Sequence, residues 1–506
     1  MRIENKKGTA LRAVVLALAA VVFLLLFSGS TSPLTNHVGA DSAFFRLVGL
    51  GMTQGMLPYR DFFDMKGPWL FLIEYLGQLI CAGRTGTFVM QCVSLILTLW
   101  IMDGIFRMQL KGKKYAALWE ALCVAACLAY IGGTFEHGNL TEEFSLPWLL
   151  LAVYFALRYL KRVQAEGKYS HPLAVGFYYG FAFGVLALIR ITNAAAIGAI
   201  LLTIVPGLLL KKEFRNLFAN GAMFILGCAA AFAPMCVYYA CHGLLGEMLN
   251  QVFLFGVQYS TEISLTEKLR NVITQMYACV ILALLPVVAL ALRRVRNWQY
   301  WLLSVSSFLL LLLAATMGNA YLHYFVLGIP NLVLGLAFLP EQSEEMQPAA
   351  GNGKARTAAA TLLVLGMFVL PCRNTWTNWQ TNLGWIRDAA AGVESLQTHQ
   401  IWGILSHIPK SEYDSVYAYG MESCSVWYDR AGMLPAHRYC DWQEHYISLN
   451  PEIGEELAAW LEEEPVKWIV IPMNYQIAPE RIAEAVEAHY DVYADNGAYI
   501  LLKVKD

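Results

Sequence analysis

Polar groups able to do chemistry are sparse in this chain and fall in a few short stretches. Asp41 stands in HVGADSAFF, and LPYRDFFDMKGPW at 57–69 brings Asp61, Asp64 and Lys66. Asp61 and Asp64 are three apart, a spacing that on a helix puts both carboxylates on one face, with Gly67-Pro68 ending that element. GGTFEHGNLTEEFSLPW holds Glu136, His137, Asn139, Glu142 and Glu143. Arg190 lies in ALIRITNAAA, and GNAYLHYFVLGIP carries Tyr321, His323 and Tyr324. Glu142 and Asn139 can converge with Asp41 on a substrate or on a hard cation, which takes oxygen ligands. The planar fork of an arginine suits a phosphate better than a lysine does.

Each group also has a plainer use. The 57–69 charges equally suit an interfacial salt-bridge cluster that anchors a loop. Thr141 with two following acids reads as a helix start, since carboxylates are favoured there. An arginine at the end of a span snorkels to the interface, and tyrosine belongs at that boundary anyway. A lysine or aspartate at the bilayer centre costs roughly 2.5–3.5 kcal/mol, so all these groups must face water or a protein-lined cavity, and ionisable groups held near lipid are functional candidates. Taken together they suit a substrate with an anionic head and a lipid tail.

The elements that carry them are membrane spans. The 506 residues are 57% hydrophobic and 15% charged, with a mean hydropathy of +0.47. The basic residues are scattered in short loops rather than gathered in a patch, which excludes a nucleic-acid partner. The first apolar run, LRAVVLALAAVVFLLLF, is expected to remain as an uncleaved span, because no A-x-A-like site follows it. About eleven spans are expected, near 11–28, 87–108, 115–132, 143–160, 173–190, 193–210, 218–241, 274–292, 299–317, 324–339 and 357–371. With that count the basic clusters at the N-terminus, 107–114, 158–168, 211–215 and 293–296 all fall on one side, predicted to be cytoplasmic. The apolar stretch 69–82 would flip every later loop if it spanned, so it is expected at the outer surface.

The outer loops are then 29–86, 133–142, 242–273 and 318–323, plus the tail. The expected domains are a membrane core, 1–372, and a small extracytoplasmic α/β domain, 373–506. In the tail, SVYAY and KWIVIP read as buried strands, Asn450-Pro451 opens a helix, and 490–504 reads as a hairpin around Asp495-Asn496-Gly497. No Gly-rich nucleotide fingerprint appears there. Most of the eleven cysteines suit buried apolar roles; Cys424 and Cys440 are a candidate disulfide pair.

The early outer Asp, then PYRDFFDMKGP, GNLTEEF, an outer Arg and YLHYFVLGIP resemble the bacterial GT-C glycosyltransferases, of the RgtA/B/C/D-like or family 39, mannosyltransferase-like, kind. The resemblance covers 11 to about 372 and implies an α-helical polytopic GT-C fold followed by an extracytoplasmic α/β domain. It implies transfer of a sugar from a polyprenyl-phosphate donor to an extracytoplasmic glycan, lipid or protein acceptor, with inversion. Asp41 would be the general base. Lys66 and Arg190 would hold the donor phosphate, with His323 and Tyr324 at the donor head. Glu142 would position the acceptor or a metal, with Asp61, Asp64, His137 and Asn139 as further substrate-positioning groups. The sequence departs from the pattern at Ser42, where many members carry a second acid, and at Gly67-Pro68, where they carry Pro-Pro. The first departure leaves a divalent metal such as Mg or Mn, with Asp41 and Glu142 as candidate ligands, an open question. Two other activities fit a basic outer cavity: a lipid-linked oligosaccharide ligase or polymerase, and a transporter or flippase of lipid-linked precursors. The latter favours polar or broken helices at the midplane and internal repeats, which the sequence does not display.

Overall fold

The computed structural model describes residues 6–112, 115–261, 263–318, 320–339, 353–421 and 423–505. Its leading helices are α1 (Lys6–Phe27), α2 (Ala40–Thr53), α3 (Pro68–Ile80), α4 (Arg84–Leu110), α5 (Ala116–Thr134), α6 (Thr141–Glu166), α7 (Leu173–Ala187), α8 (Ala195–Leu210) and α9 (Phe214–Cys241). By length and composition seven helices among the described residues can cross a bilayer: Gly8–Phe27, α4, α5, α6, Ile191–Leu210, α9 and Trp298–Thr316. The chain is a multi-pass membrane protein. Shorter apolar helices are α3, α7 and Leu322–Phe338.

Every expected span meets a helix, but not every one is a single straight rod. The stretch 274–292 is two helices, Tyr277–Ala283 and Leu285–Arg293, with Pro286 just past the break. Proline lacks the N–H that would continue the ladder. The same logic operates at 324–339, which begins as a 3-10 helix, Leu322–Gly328, and becomes α-helical at Ile329 with Pro330 in its first turn. The last expected span lies within the 38-residue helix Gly353–Ala390.

The chain folds as two compact units. The first comprises Met1–Ser28, Gln91–Cys241 and Ile263–Leu383. Within it α7 and α9 approach closely through glycine: a Cβ at Gly180 or Gly227 would overlap a carbonyl of the facing helix. Small residues at such contacts allow the backbone approach that holds helices together in lipid.

The second unit comprises Gly29–Met90, His242–Glu262 and Gly384–Asp506. Its sheet has the order β1-β2-β4-β3, from β1 (Val416–Ala418), β2 (Trp468–Pro472), β3 (Tyr490–Asp495) and β4 (Tyr499–Val504). β1 and β2 are parallel, and β4 runs antiparallel to both of its neighbours. The helices Glu452–Glu463 and Glu480–His489 cover one face, where Tyr417, Leu457, Leu461, Ile469, Ile482 and Leu502 form a core. The expected strands, the helix after Asn450-Pro451 and the hairpin are all present. Cys424 and Cys440 are not joined: both are buried free thiols, and the Cys424 Sγ meets Gln443 Oε1 at 3.5 Å instead.

Candidate functional site

In the second unit, Gly39 is extended (φ −84°, ψ 148°) and α2 begins at Ala40, which places Asp41 in the first turn. The unpaired N–H groups of that turn favour a carboxylate there. The stretch 57–67 does not form the helix that the Asp61/Asp64 spacing suggests. It is a turn, in which Tyr59 takes φ 70°, bonds Phe62 O through its N–H at 2.9 Å and donates its hydroxyl to the Lys66 carbonyl at 2.9 Å. Pro58 and Pro68 bias Leu57 and Gly67 away from the α region, and Gly67-Pro68 opens α3 rather than ending an element.

The two aspartates consequently part ways. Asp61 accepts the Leu57 N–H at 2.6 Å and pairs with Arg60 at 2.7 and 2.9 Å, which ties it into its own loop. Asp64 is 3% exposed. Its Oδ1 accepts the Met65 N–H at 2.7 Å and lies 3.6 Å from Lys66 Nζ. Its Oδ2 is buried without a hydrogen-bond partner among the described residues. Burial pushes the Asp64 carboxyl up from its ordinary range, Lys66 opposes that rise, and the charge of Asp41 adds to it. Lys66 Nζ also sits 5.7 Å from the Phe45 ring centre. Phe45 is four residues after Asp41 on α2, hence on the same face. Asp41, Asp64 and Lys66 therefore form one electrostatic cluster.

Groups far along the chain hold that cluster. Gln251 accepts the Asp64 N–H at 3.2 Å and donates to the Tyr59 carbonyl at 3.0 Å. Phe63 packs edge-on against Phe255 and Tyr446, with ring centres 4.9 and 5.1 Å away, and against Tyr439 at 5.1 Å. Asp441 accepts the Cys424 N–H at 2.8 Å at the start of the helix Cys424–Ala431, and burial raises it to about 7. None of these was a candidate from sequence, because nothing local marks Gln251 or Tyr446 as neighbours of residue 64.

The first unit gathers a different set. Glu142 lies in the first turn of α6 and is 1% exposed. Arg190, extended in the turn after α7, reaches it with Nη1 at 2.9 Å. The guanidinium stacks 3.8 Å from the Tyr324 ring centre, a cation–π contact. His323 Nδ1 meets Glu136 Oε2 at 2.5 Å, and its ring stacks on Tyr321 at 5.5 Å. The loop before α6 is backbone-strained: Glu136, His137, Gly138 and Asn139 all have positive φ, a conformation that costs non-glycine residues energy and recurs at functional sites. Asn139 is fully buried there, and burial lowers the His137 imidazole despite the nearby Glu136 charge. Glu143 takes the plainer role, accepting the Leu140 N–H at 3.0 Å and the Gln91 amide at 2.6 Å. Among the described residues no three His, Cys, Asp or Glu side chains group as a metal site, and the candidate ligands Asp41 and Glu142 belong to different units.

Two solved structures resemble the whole chain. ArnT from Cupriavidus metallidurans bound to undecaprenyl phosphate superposes with a TM-score of 0.60 at 13% identity, covering 97% of each chain. The same protein in its apo state gives 0.59 at 13% identity, covering 99% of this chain and 98% of that one. The chain has the GT-C fold. The likeness to ArnT extends over the helical membrane region and the C-terminal α/β region alike, since almost no residue of either chain is left out. No family model and no curated protein matches the sequence.

Proposed function

We propose that the protein is an inverting membrane glycosyltransferase that moves a sugar from a polyprenyl-phosphate donor to a hydroxyl of an extracytoplasmic glycan, lipid or protein. The observation that carries this reading is the cluster of Asp41, Asp64 and Lys66, in which the Asp64 carboxylate lies 3.6 Å from the Lys66 ammonium and feels the charge of Asp41 in the first turn of α2. The fold shared with a structure that holds undecaprenyl phosphate supports the class of donor.

The chemistry needs a base on one side of the anomeric carbon and cations on the other. The acceptor oxygen attacks the anomeric carbon while Asp41 takes its proton. The bond between that carbon and the phosphate oxygen breaks, and the polyprenyl phosphate leaves with the bonding electron pair. Lys66 stabilises the charge that grows on the phosphate. Arg190, in the first unit, is a separate candidate for gripping an anion, held there by Glu142 and by the Tyr324 ring. His323 packs against Tyr324, and Tyr324 and His323 are candidates for the donor head, while His137 and Asn139 shape the loop that leads into α6. Asp64 acts through Lys66, as a counter-charge 3.6 Å away that competes with a phosphate for the ammonium.

Mass spectrometry of lipid and glycan products, after incubating the purified protein with a panel of polyprenyl-phosphate sugars, tests the proposal. Asp41→Asn is expected to lose transfer by at least a hundredfold while still binding undecaprenyl phosphate. Full transfer by that variant with a donor the wild type uses would overturn it.

A further inference from the structure

A cavity in the first compact unit lies at the end of α6 away from Glu142. α6 has 26 residues, so its ends are about 39 Å apart at 1.5 Å per residue. Just past its last turn, His171 is clasped by α9. Its N–H donates to Asn216 Oδ1 at 2.7 Å, and its carbonyl accepts from the Asn216 and Asn220 amides at 3.0 Å each. Its ring sits 5.1 Å from that of Tyr159 and 5.4 Å from that of Tyr179. Beside it a cavity of about 190 Å³ opens among α7, α8 and α9, lined by Ile204, Leu208, Leu217 and Phe224 together with His171 and Tyr179.

The surface of the cavity is almost wholly apolar, and the unpaired His171 Nε2, Tyr179 Oη and Asn220 Oδ1 are sealed from it. Such a lining suits hydrocarbon, the chemistry of an acyl chain.

Outside the cavity the charge is strongly basic. The segments 158–168, at the end of α6, and 211–215, between α8 and α9, carry seven Lys and Arg against two Glu. Lys211 follows the lining residue Leu208 by one helical turn, and Lys211, Lys212 and Arg215 are exposed. Basic residues at a membrane surface draw anionic lipid. We propose that this cavity binds one acyl chain of an anionic glycerophospholipid. The apolar lining takes the chain, and Lys211 and Lys212 meet the phosphate. The site is separate from that of the proposed transfer reaction and does not depend on it.

Gly221 lines the cavity, and a Cβ there meets nothing within 4 Å, so Gly221→Leu starts a bulky side chain at the cavity wall without a clash at its Cβ. The full chain, purified and delipidated in detergent, is titrated with dioleoyl-phosphatidylglycerol, dioleoyl-phosphatidylcholine or glycerol 3-phosphate and followed by native mass spectrometry and thermal melting. Wild type should retain phosphatidylglycerol at least tenfold better than phosphatidylcholine, melt higher with it and ignore glycerol 3-phosphate. Gly221→Leu should lose at least tenfold in phosphatidylglycerol retention without melting lower when lipid-free. The double variant Lys211→Gln, Lys212→Gln should erase the preference between the two lipids. Equal retention of both lipids by wild type, binding of glycerol 3-phosphate, or unchanged retention by a folded Gly221→Leu protein would overturn the proposal. The wild-type and double-lysine comparisons decide it even if Gly221→Leu does not fold.

Discussion

Removing the charge of Asp64 should tighten, not weaken, the grip of Lys66 on a phosphate. The two groups are 3.6 Å apart, with Asp64 nearly sealed from solvent and the Lys66 side chain 21% exposed. At that distance two unit charges interact by roughly 5 kcal/mol in a medium of dielectric 20 and by roughly 1 kcal/mol in water. The partial exposure of Lys66 sets the working value at about 1–2 kcal/mol, or roughly five- to thirtyfold in a binding constant. Asp64→Asn keeps an oxygen for the Met65 N–H and deletes the competitor for the ammonium, so the Kd for undecaprenyl phosphate should fall by that factor. The sign depends on pH. Burial raises the Asp64 carboxyl, so wild type and variant converge at low pH, where the carboxyl is already protonated, and separate as pH rises through its raised value. Lys66→Gln should weaken binding, and in Asp64→Asn/Lys66→Gln the gain should vanish because no cation remains to be released. Titration of undecaprenyl phosphate against the four proteins across pH measures this cycle. A gain that persists in the double variant would refute the electrostatic reasoning, and weaker binding by Asp64→Asn at every pH would refute it too and show that Asp64 matters by orienting Lys66.

Three further outcomes can be checked by thermal melting of the full chain in detergent. Glu142→Ala leaves the Arg190 guanidinium without its buried partner and should cost about 3 kcal/mol; adding Arg190→Ala should recover part of that loss, since breaking one half of a buried pair is worse than removing both. Asp441 sits near 7 in the folded chain against an ordinary 3.8. Its folded value is raised, so its contribution is complete below about pH 4 and declines by up to about 4 kcal/mol as pH climbs to about 7, a slope that Asp441→Asn should abolish. Phe63→Ala empties the space among Phe255, Tyr439 and Tyr446 and should cost about 3–5 kcal/mol, with loss of undecaprenyl phosphate binding as the Lys66 turn loosens.

Much of the architecture is legible along the chain because hydropathy and turn chemistry are local properties. The apolar runs meet helices throughout, the two apolar strands of the tail pair in parallel, and Asp495-Asn496-Gly497 turns the last hairpin, with Gly497 at φ 78°. The misreadings are local too. A three-residue spacing of aspartates suggested a helix, while prolines on both flanks of 57–67 and the left-handed Tyr59 make it a turn. Two cysteines sixteen positions apart suggested a bridge, yet each thiol is buried and free.

The sequence by itself determined that this chain crosses a membrane many times, where its polar groups are concentrated, and which of them could grip a phosphate or accept a proton. Only the tertiary structure decided which of two equivalent aspartates is buried against Lys66 and which is spent on its own loop. It also decided that residues 29–90 and 242–262 fold with the tail, so that Gln251, Phe255, Tyr439 and Tyr446 support residues 59–66. The physical reason is that a carboxylate's charge state and reach follow from desolvation and from neighbours brought in from hundreds of positions away, and neither is written in the residues beside it.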